Sequence, residues 1–360
     1  MKRQLLALML CAVILLSGCN GLLDGAYQWE YPHDIQQEGG PSSNISVTEY
    51  DELYQALAQM IEAGTAQTTI TVEGYDKDQL PSDLKKAKIA LLQEHPIAAW
   101  AVKVIHSDLG TTGGTPAVAI EIEYLHDQTE IRRIVKVDSD AHAQPVIEDV
   151  LKACDSGVVL LVQNYSAIDV LQLTENFAME HPEYVIEQPQ VTTSIYPESG
   201  TARVIEIKFS YKTSREVLKN MQNHVLSIFE SATLWASGES EAEEKYRRLY
   251  AYLTMLESYS FETSVTPAYS LLRYGVGDNK TFATVYAAMC RRSGLECQTV
   301  SGTNNGESCY WNIIRIDEGY RHVDLLRCYA ADDFQMLSDG DMAGYVWDYD
   351  AYPACIAPQE

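Results

Sequence analysis

The sequence predicts an α+β protein: duplicated small α/β-sheet modules in front, and a third mixed domain behind them. Three observations predict it. Hydrophobic residues make up 46% of the 360 residues, enough to fill more than one core. Helical and strand periodicities alternate along the chain rather than segregating. The order helix, strand, helix, strand, strand occurs twice between residues 45 and 211. The expected divisions are residues 1–18, 19–43, 44–128, 129–212 and 213–360.

Residues 1–18 read as a signal peptide. Lys2 and Arg3 precede an apolar run from Leu5 to Leu16, too short for an ordinary membrane span. The run ends in Leu16-Ser17-Gly18-Cys19, which resembles the lipobox of bacterial lipoproteins. That resemblance implies cleavage before Cys19, lipidation of its thiol, and an extracytoplasmic protein anchored to the bacterial cell membrane. Each buried acyl CH₂ contributes about 0.8 kcal/mol, so two chains make a durable anchor. Residues 19–43, Gly-rich and polar, read as a tether. The formal net charge of −25 repels phosphate backbones, which excludes nucleic acid as a partner.

In the first module, "EYDELYQALAQMIEAG" and "LKKAKIALLQEHP" are helices. "TTITVEGYD", "AAWAVKVIHS" and "PAVAIEIEY" are strands, and "ISVTEY" leads in. In the second, "QPVIEDVLKACDSG" and "VLQLTENFAMEHP" are helices. "VVLLVQNYS", "VTTSIYPESG" and "ARVIEIKFSY" are strands, led by "EIRRIVKVDS". Tyr75 answers Tyr165, Glu94-His95-Pro96 answers Glu180-His181-Pro182, and Tyr124 answers Tyr211. Each His-Pro marks a helix end, because proline cannot continue the helix. No partner ligand lies at metal spacing from either histidine, so no metal is expected there.

Residues 213–236 and 240–262 read as two helices, the first with a Thr/Ser cap and the second with an acidic first turn. Leu249, Tyr252, Leu253 and Leu256 form the apolar stripe of the second. Then come "PAYSLLRYGVGDNKTFA", "VYAAMCRRSGLECQTVSG", "SCYWNIIRI" and "DEGYRHVDLL". These four pieces, in this order, resemble the transglutaminase-like branch of the papain-type cysteine-enzyme (cysteine-proteinase-type) fold, over roughly 100 residues. The resemblance implies a cysteine at a helix N-terminus, a histidine on the next strand and an orienting aspartate. Together such groups carry out acyl transfer through a thioester.

The residues at those positions are Asn279, Cys309 and Asp324. An amide cannot form the acyl intermediate, and no imidazole stands at the base position. The expectation is therefore a pseudoenzyme whose cleft binds a peptide, a cell-wall fragment or a protein partner, with no cofactor and no metal. The alternative is a cysteine hydrolase or acyltransferase that uses Cys309, helped by His322 and Asp324 on one strand face. A second alternative is an inert structural or assembly subunit. A duller role for Cys309 is a disulfide with Cys328: a two-residue hairpin loop at Glu318-Gly319 would place them opposite, and a longer loop would not. Cys290 and Cys297 read as buried thiols. The Asp- and Tyr-rich tail from Tyr329 lacks calcium-loop spacing and reads as solvated, its aromatics closing the domain or lining a sugar-binding face.

Overall fold

The computed structural model describes residues 33–34, 45–256, 258–316 and 319–357. The leader, Cys19 and most of the tether lie outside the described residues. The chain divides into two compact units. One holds residues up to Ala90 with Val102–Tyr124; the other holds Leu91–Ala101 with the chain from Leu125 on.

The first unit is built on strands β1 (His33–Asp34), β2 (Ile45–Ser46), β3 (Gln67–Thr71), β4 (Val102–Thr112) and β5 (Thr115–Tyr124). Helix α1 (Tyr50–Ala63) connects β2 to β3, and α2 (Leu80–Glu94) comes after β3. α1 buries Leu53, Leu57, Met60 and Ile61, the three- and four-residue stripe of its sequence. It stops at Gly64, whose φ of 66° suits a residue without a Cβ. The sheet order is β1-β4-β5-β3-β2, with β1 on β4 and β2 on β3 parallel and the other pairs antiparallel.

In the second unit, α3 (Pro96–Ala101) and α4 (Gln128–Arg132) precede a sheet of β6 (Val135–Ser139), β7 (Gly157–Asn164), β8 (Gln190–Tyr196) and β9 (Arg203–Ser210). Helices α5 (Asp140–Lys152) and α6 (Val170–Glu180) occupy the connections that α1 and α2 occupy in the first sheet. The order is β6-β7-β9-β8, and β6 is parallel to β7. Position by position this is β2-β3-β5-β4, so the repeat in sequence is a repeat in topology. α2 ends at Glu94 and α6 at Glu180, each just before its His-Pro.

Two stretches differ from the sequence reading. Residues 98–101, expected to open a strand, belong to the helix Pro96–Ala101, and Gln128–Arg132 is a short helix closed by a capping box between Asp127 and Glu130.

Helix α7 (Arg215–Ala236) joins the second sheet to the C-terminal helices. The Glu187 carboxylate accepts the backbone N–H groups of Lys212 and Thr213, which fixes the turn into α7. Gln222 of α7, 2% exposed, donates to the carbonyls of Lys152 and Tyr184 at 2.9 and 2.8 Å. Helices α8 (Ala242–Leu253), α9 (Pro267–Tyr274) and α10 (Asn279–Arg292) pack with α7 in one core that includes Phe229, Tyr246, Leu249 and Tyr286. α8 ends at Leu253, short of the expected 262, and Leu256 lies outside it, 38% exposed.

The last sheet contains β10 (Cys297–Asn304), β11 (Glu307–Ile316), β12 (Gly319–Val323) and β13 (Tyr345–Trp347), in the order β12-β11-β10-β13. α11 (Leu325–Ala331) comes directly after β12. Gly302 makes this arrangement possible, because a Cβ there would meet the Val346 carbonyl oxygen at 2.3 Å and the Trp311 ring at 2.7 Å.

Candidate functional site

Helix α10 is buried on every side from Thr281 to Cys290, as a helix inside a core must be. Its N-terminus is fixed by Asp278, whose Oδ1 accepts from the Thr281 N–H at 2.8 Å and the Thr281 hydroxyl at 2.6 Å. Its far end closes on Gly294 (φ 76°), with the Leu295 N–H returning to the Cys290 carbonyl. β11 runs beside it. Asn312, fully buried, donates to the Ala283 carbonyl at 2.9 Å and so fixes the distance between helix and strand.

This frame brings Asn279, Cys309 and Asp324 together. Asn279 is the first residue of α10, and its Oδ1 accepts the Tyr310 backbone N–H. The Asn279 side chain and the Asp324 carboxylate both act electrostatically on the Cys309 thiol. Burial, reinforced by Asp324, pushes the Cys309 thiol up to about 11. Asn279 and Tyr310 pull the other way and do not offset burial. An activated thiol needs the opposite environment. Asp324 is itself committed: Oδ1 caps α11 by accepting from the Leu326 and Arg327 N–H groups at 3.0 and 3.1 Å, and Oδ2 accepts from the Tyr345 hydroxyl at 2.6 Å.

His322 sits in an adjoining cluster with neither ring nitrogen free. The Trp311 indole N–H donates to Nδ1 at 2.9 Å, and Nε2 meets Asp339 Oδ1 at 2.9 Å. The indole can only donate, so Nδ1 accepts and Nε2 carries the proton. Burial holds the imidazole below its ordinary value, against the pull of Asp339. Trp347 stacks edge-on to His322 at 4.8 Å and to Trp311 at 5.7 Å, and Tyr345 to Trp311 at 5.2 Å. As a helper for Cys309, His322 has no acceptor to offer.

His322, Asp339 and Cys355 place their ligand atoms within 4.8 Å of one another. A cation held by Nε2 would require the proton on Nδ1, where it would confront the Trp311 N–H. The donor set therefore does not fit a metal while that indole bond is in place. The Cys355 thiol, pushed up to about 12 by burial, is a poor ligand for the same reason.

Two sequence expectations are corrected. Cys309 and Cys328 are free thiols, not a disulfide. β11 and β12 pair Ile316 with Gly319, and β12 ends at Val323, so Cys328 falls on α11 rather than on a paired strand. There its sulfur accepts the Gln335 N–H at 3.3 Å, inside the helical core, while Cys309 belongs to the cluster around Trp311. The tail is also not simply solvated, since Asp339, Tyr345 and Trp347 complete both clusters. The particular partners of those three residues escaped sequence reasoning, because no motif or period links them to the sheet. An Asp-Leu-Leu-Arg stretch at 324–327 could have signalled the α11 cap.

The transglutaminase-like superfamily matches residues 231–325, a span that contains Asn279, Cys309 and Asp324. No curated protein matches the chain. Among solved structures, one titled as a TGase is 10% identical over 59% of this chain and 61% of its own, with a TM-score of 0.27. Another, described as a candidate protease from Parabacteroides distasonis, is 8% identical over 71% of this chain and 39% of its own, with a TM-score of 0.23.

Proposed function

Because the chain carries a transglutaminase-like domain over residues 231–325, we propose that this domain is non-catalytic and binds rather than transforms its ligand. The single observation that carries the reading is the wiring of the three family positions. The nucleophile position offers an amide already bonded to Tyr310, the base position a thiol held near 11, and the orienting position a carboxylate spent on a helix cap and Tyr345. The nearest imidazole in the same sheet has both nitrogens occupied. Loss of the nucleophile alone removes most of the acceleration such a unit supplies.

The ligand class proposed is a peptide, a cell-wall fragment or a protein partner. The chain is proposed to sit outside the cytoplasm, held to the bacterial membrane by lipid on Cys19. No described helix is long and apolar enough to cross a membrane.

Site-resolved alkylation tests the non-catalytic reading. The mature chain is treated with a small alkylating agent from pH 5 to 9, and each cysteine is mapped by mass spectrometry. Cys309 should react no faster than the other buried thiols at any of these values. Fast, selective reaction of Cys309 below pH 7 would sink the reading and reinstate a cysteine hydrolase or acyltransferase. Cys19→Ala should release the chain from the membrane fraction; retention there would end the anchor proposal.

A further inference from the structure

Two buried cysteines stand where α10 turns back into the sheet. Cys290 is on the last turn of α10 and fully buried; Cys297 opens β10 and is 3% exposed. The turn between them is short and well fixed. Gly294 takes φ 76°, which lets the Leu295 N–H return to the Cys290 carbonyl at 2.9 Å and folds the chain back over the helix end. Leu295 and Cys297 are two residues apart, and both pack on the core that contains Cys290. The Arg291 guanidinium donates to the Cys297 carbonyl at 3.2 Å, and the Tyr246 hydroxyl to the Glu296 carbonyl at 2.7 Å. The start of β10 is thereby held against the turn that carries Cys290.

The two side chains also share their surroundings. Cys290 follows Tyr286 by four residues on α10, so the two lie on one face of the helix. Burial first, and then Cys290 and Cys297 together, push the phenols of Tyr246 and Tyr286 up, so both sulfurs lie near the same two rings. Burial pushes the Cys290 thiol well up, and the Cys297 thiol pushes it further. The cysteines further along the chain differ. Cys309, Cys328 and Cys355 meet main-chain groups: the Tyr310 carbonyl, the Gln335 N–H and the Pro353 carbonyl. Cys290 has another sulfur as its neighbour.

We infer that Cys290 and Cys297 are a dithiol that closes to a disulfide, locking the end of α10 to the first residue of β10. Both are thiols in the structure, so closure is an oxidation that removes two electrons and two protons. The oxidant is a small disulfide of the exported environment proposed for this chain. One thiol attacks it, forming a mixed disulfide and releasing a thiolate. The second thiol then attacks the mixed disulfide, forming the bond between Cys290 and Cys297 and releasing the other thiolate. The two protons go to the released thiolates. Both thiols are buried and Cys290 resists ionisation, so the exchange proceeds when the end of α10 opens and not in the closed fold. Neither Asn279 nor Cys309 takes part, so this inference and the non-catalytic reading fail independently.

Thiol mapping after controlled oxidation tests it. The mature chain is held with oxidised glutathione in urea below its unfolding midpoint, and remaining thiols are then alkylated in strong denaturant. Trypsin and a Glu-specific protease cut between the two cysteines at Arg291, Arg292 and Glu296, and separate Cys297 from Cys309 at Glu307. The peptides carrying Cys290 and Cys297 should be recovered joined, and should separate and alkylate after dithiothreitol. Closing this eight-residue loop should lower the unfolding equilibrium constant on the order of fiftyfold relative to the reduced chain. Cys297→Ala should remove that dependence on reductant; the mapping itself needs no variant. Three results would overturn the inference. One is alkylation of both cysteines after oxidation. Another is either cysteine joined to a different cysteine or left carrying glutathione. The last is a joined pair whose reduction leaves the unfolding equilibrium unchanged, which would show that the bond locks nothing.

Discussion

Around Asn279 three groups meet without a base, whereas His322, on the next strand of the same sheet, is a base-type group without a free nitrogen. The first corner is held by main-chain ties: Asn279 to the Tyr310 N–H, Asp324 to two N–H groups of α11. The second is held by side chains, with Trp311 and Asp339 gripping opposite sides of one ring. Both corners therefore contain chemistry-bearing residues whose polar atoms are engaged in hydrogen bonds. The difference teaches that an inventory of residue types overstates reactivity. What decides is whether a lone pair or a proton is left uncommitted.

The comparison breaks most sharply at Trp311. Trp311→Ala removes a fully buried ring and strands His322 Nδ1. It should cost about 4 kcal/mol, read from chemical denaturation, with the order of a core truncation. A loss under about 1 kcal/mol would mean the aromatic corner is not a structural unit. Next is Asp324→Ala, which deletes the α11 cap and leaves the Tyr345 hydroxyl buried without its acceptor. A cost of about 2 kcal/mol is expected. Asp324→Asn should lose less, because its side-chain oxygen still caps.

The pH dependence has a definite sign at each corner. The folded-state value of His322 lies below the unfolded one, so its contribution is present above about 6.5. It is lost as pH falls below that, toward the folded value, and denaturation midpoints should drop accordingly. His322→Gln should flatten that slope. Thiols behave oppositely. Cys309, Cys328 and Cys355 have values raised by burial to about 11, 11 and 12, so their contribution is full below about 9 and fades as pH rises through them. The smallest effect belongs to Cys309→Ala, expected to cost about 1 kcal/mol or less, because the residue packs but carries no strong hydrogen bond. A larger cost would show that the thiol contributes more than packing.

How much of this could be read beforehand depends on the range of the interaction. The buried helix at 279–292, its Asp278 cap and its Gly294 end are local, and their signals lie within a turn of where they act. The repeat was legible for the same reason, since each copy spells out its elements in order. The meeting of Asn279, Cys309 and Asp324 came from family spacing rather than from any local rule. What stayed hidden was long-range. Asp339 reaches His322 from 17 residues away and Tyr345 reaches Asp324 from 21, through a tail without periodicity. The end of β12 is hidden in the sequence because Val323 and Leu325 continue an apolar run across Asp324, the residue that stops it.

The way β13 closes the C-terminal sheet bears on the timing of folding during synthesis. Tyr345 completes Asp324, Trp347 covers Trp311 and His322, and the Cys355 N–H reaches Asp339. None of these contacts can form until residues 345–355 have left the ribosome, at roughly 5–20 residues per second. The two front sheets have no such debt and can form while the ribosome is still reading the last third of the message. A stall or frameshift late in the message would thus yield finished front sheets joined to an exposed Trp311, a species that quality control could recognise by its uncovered aromatic surface.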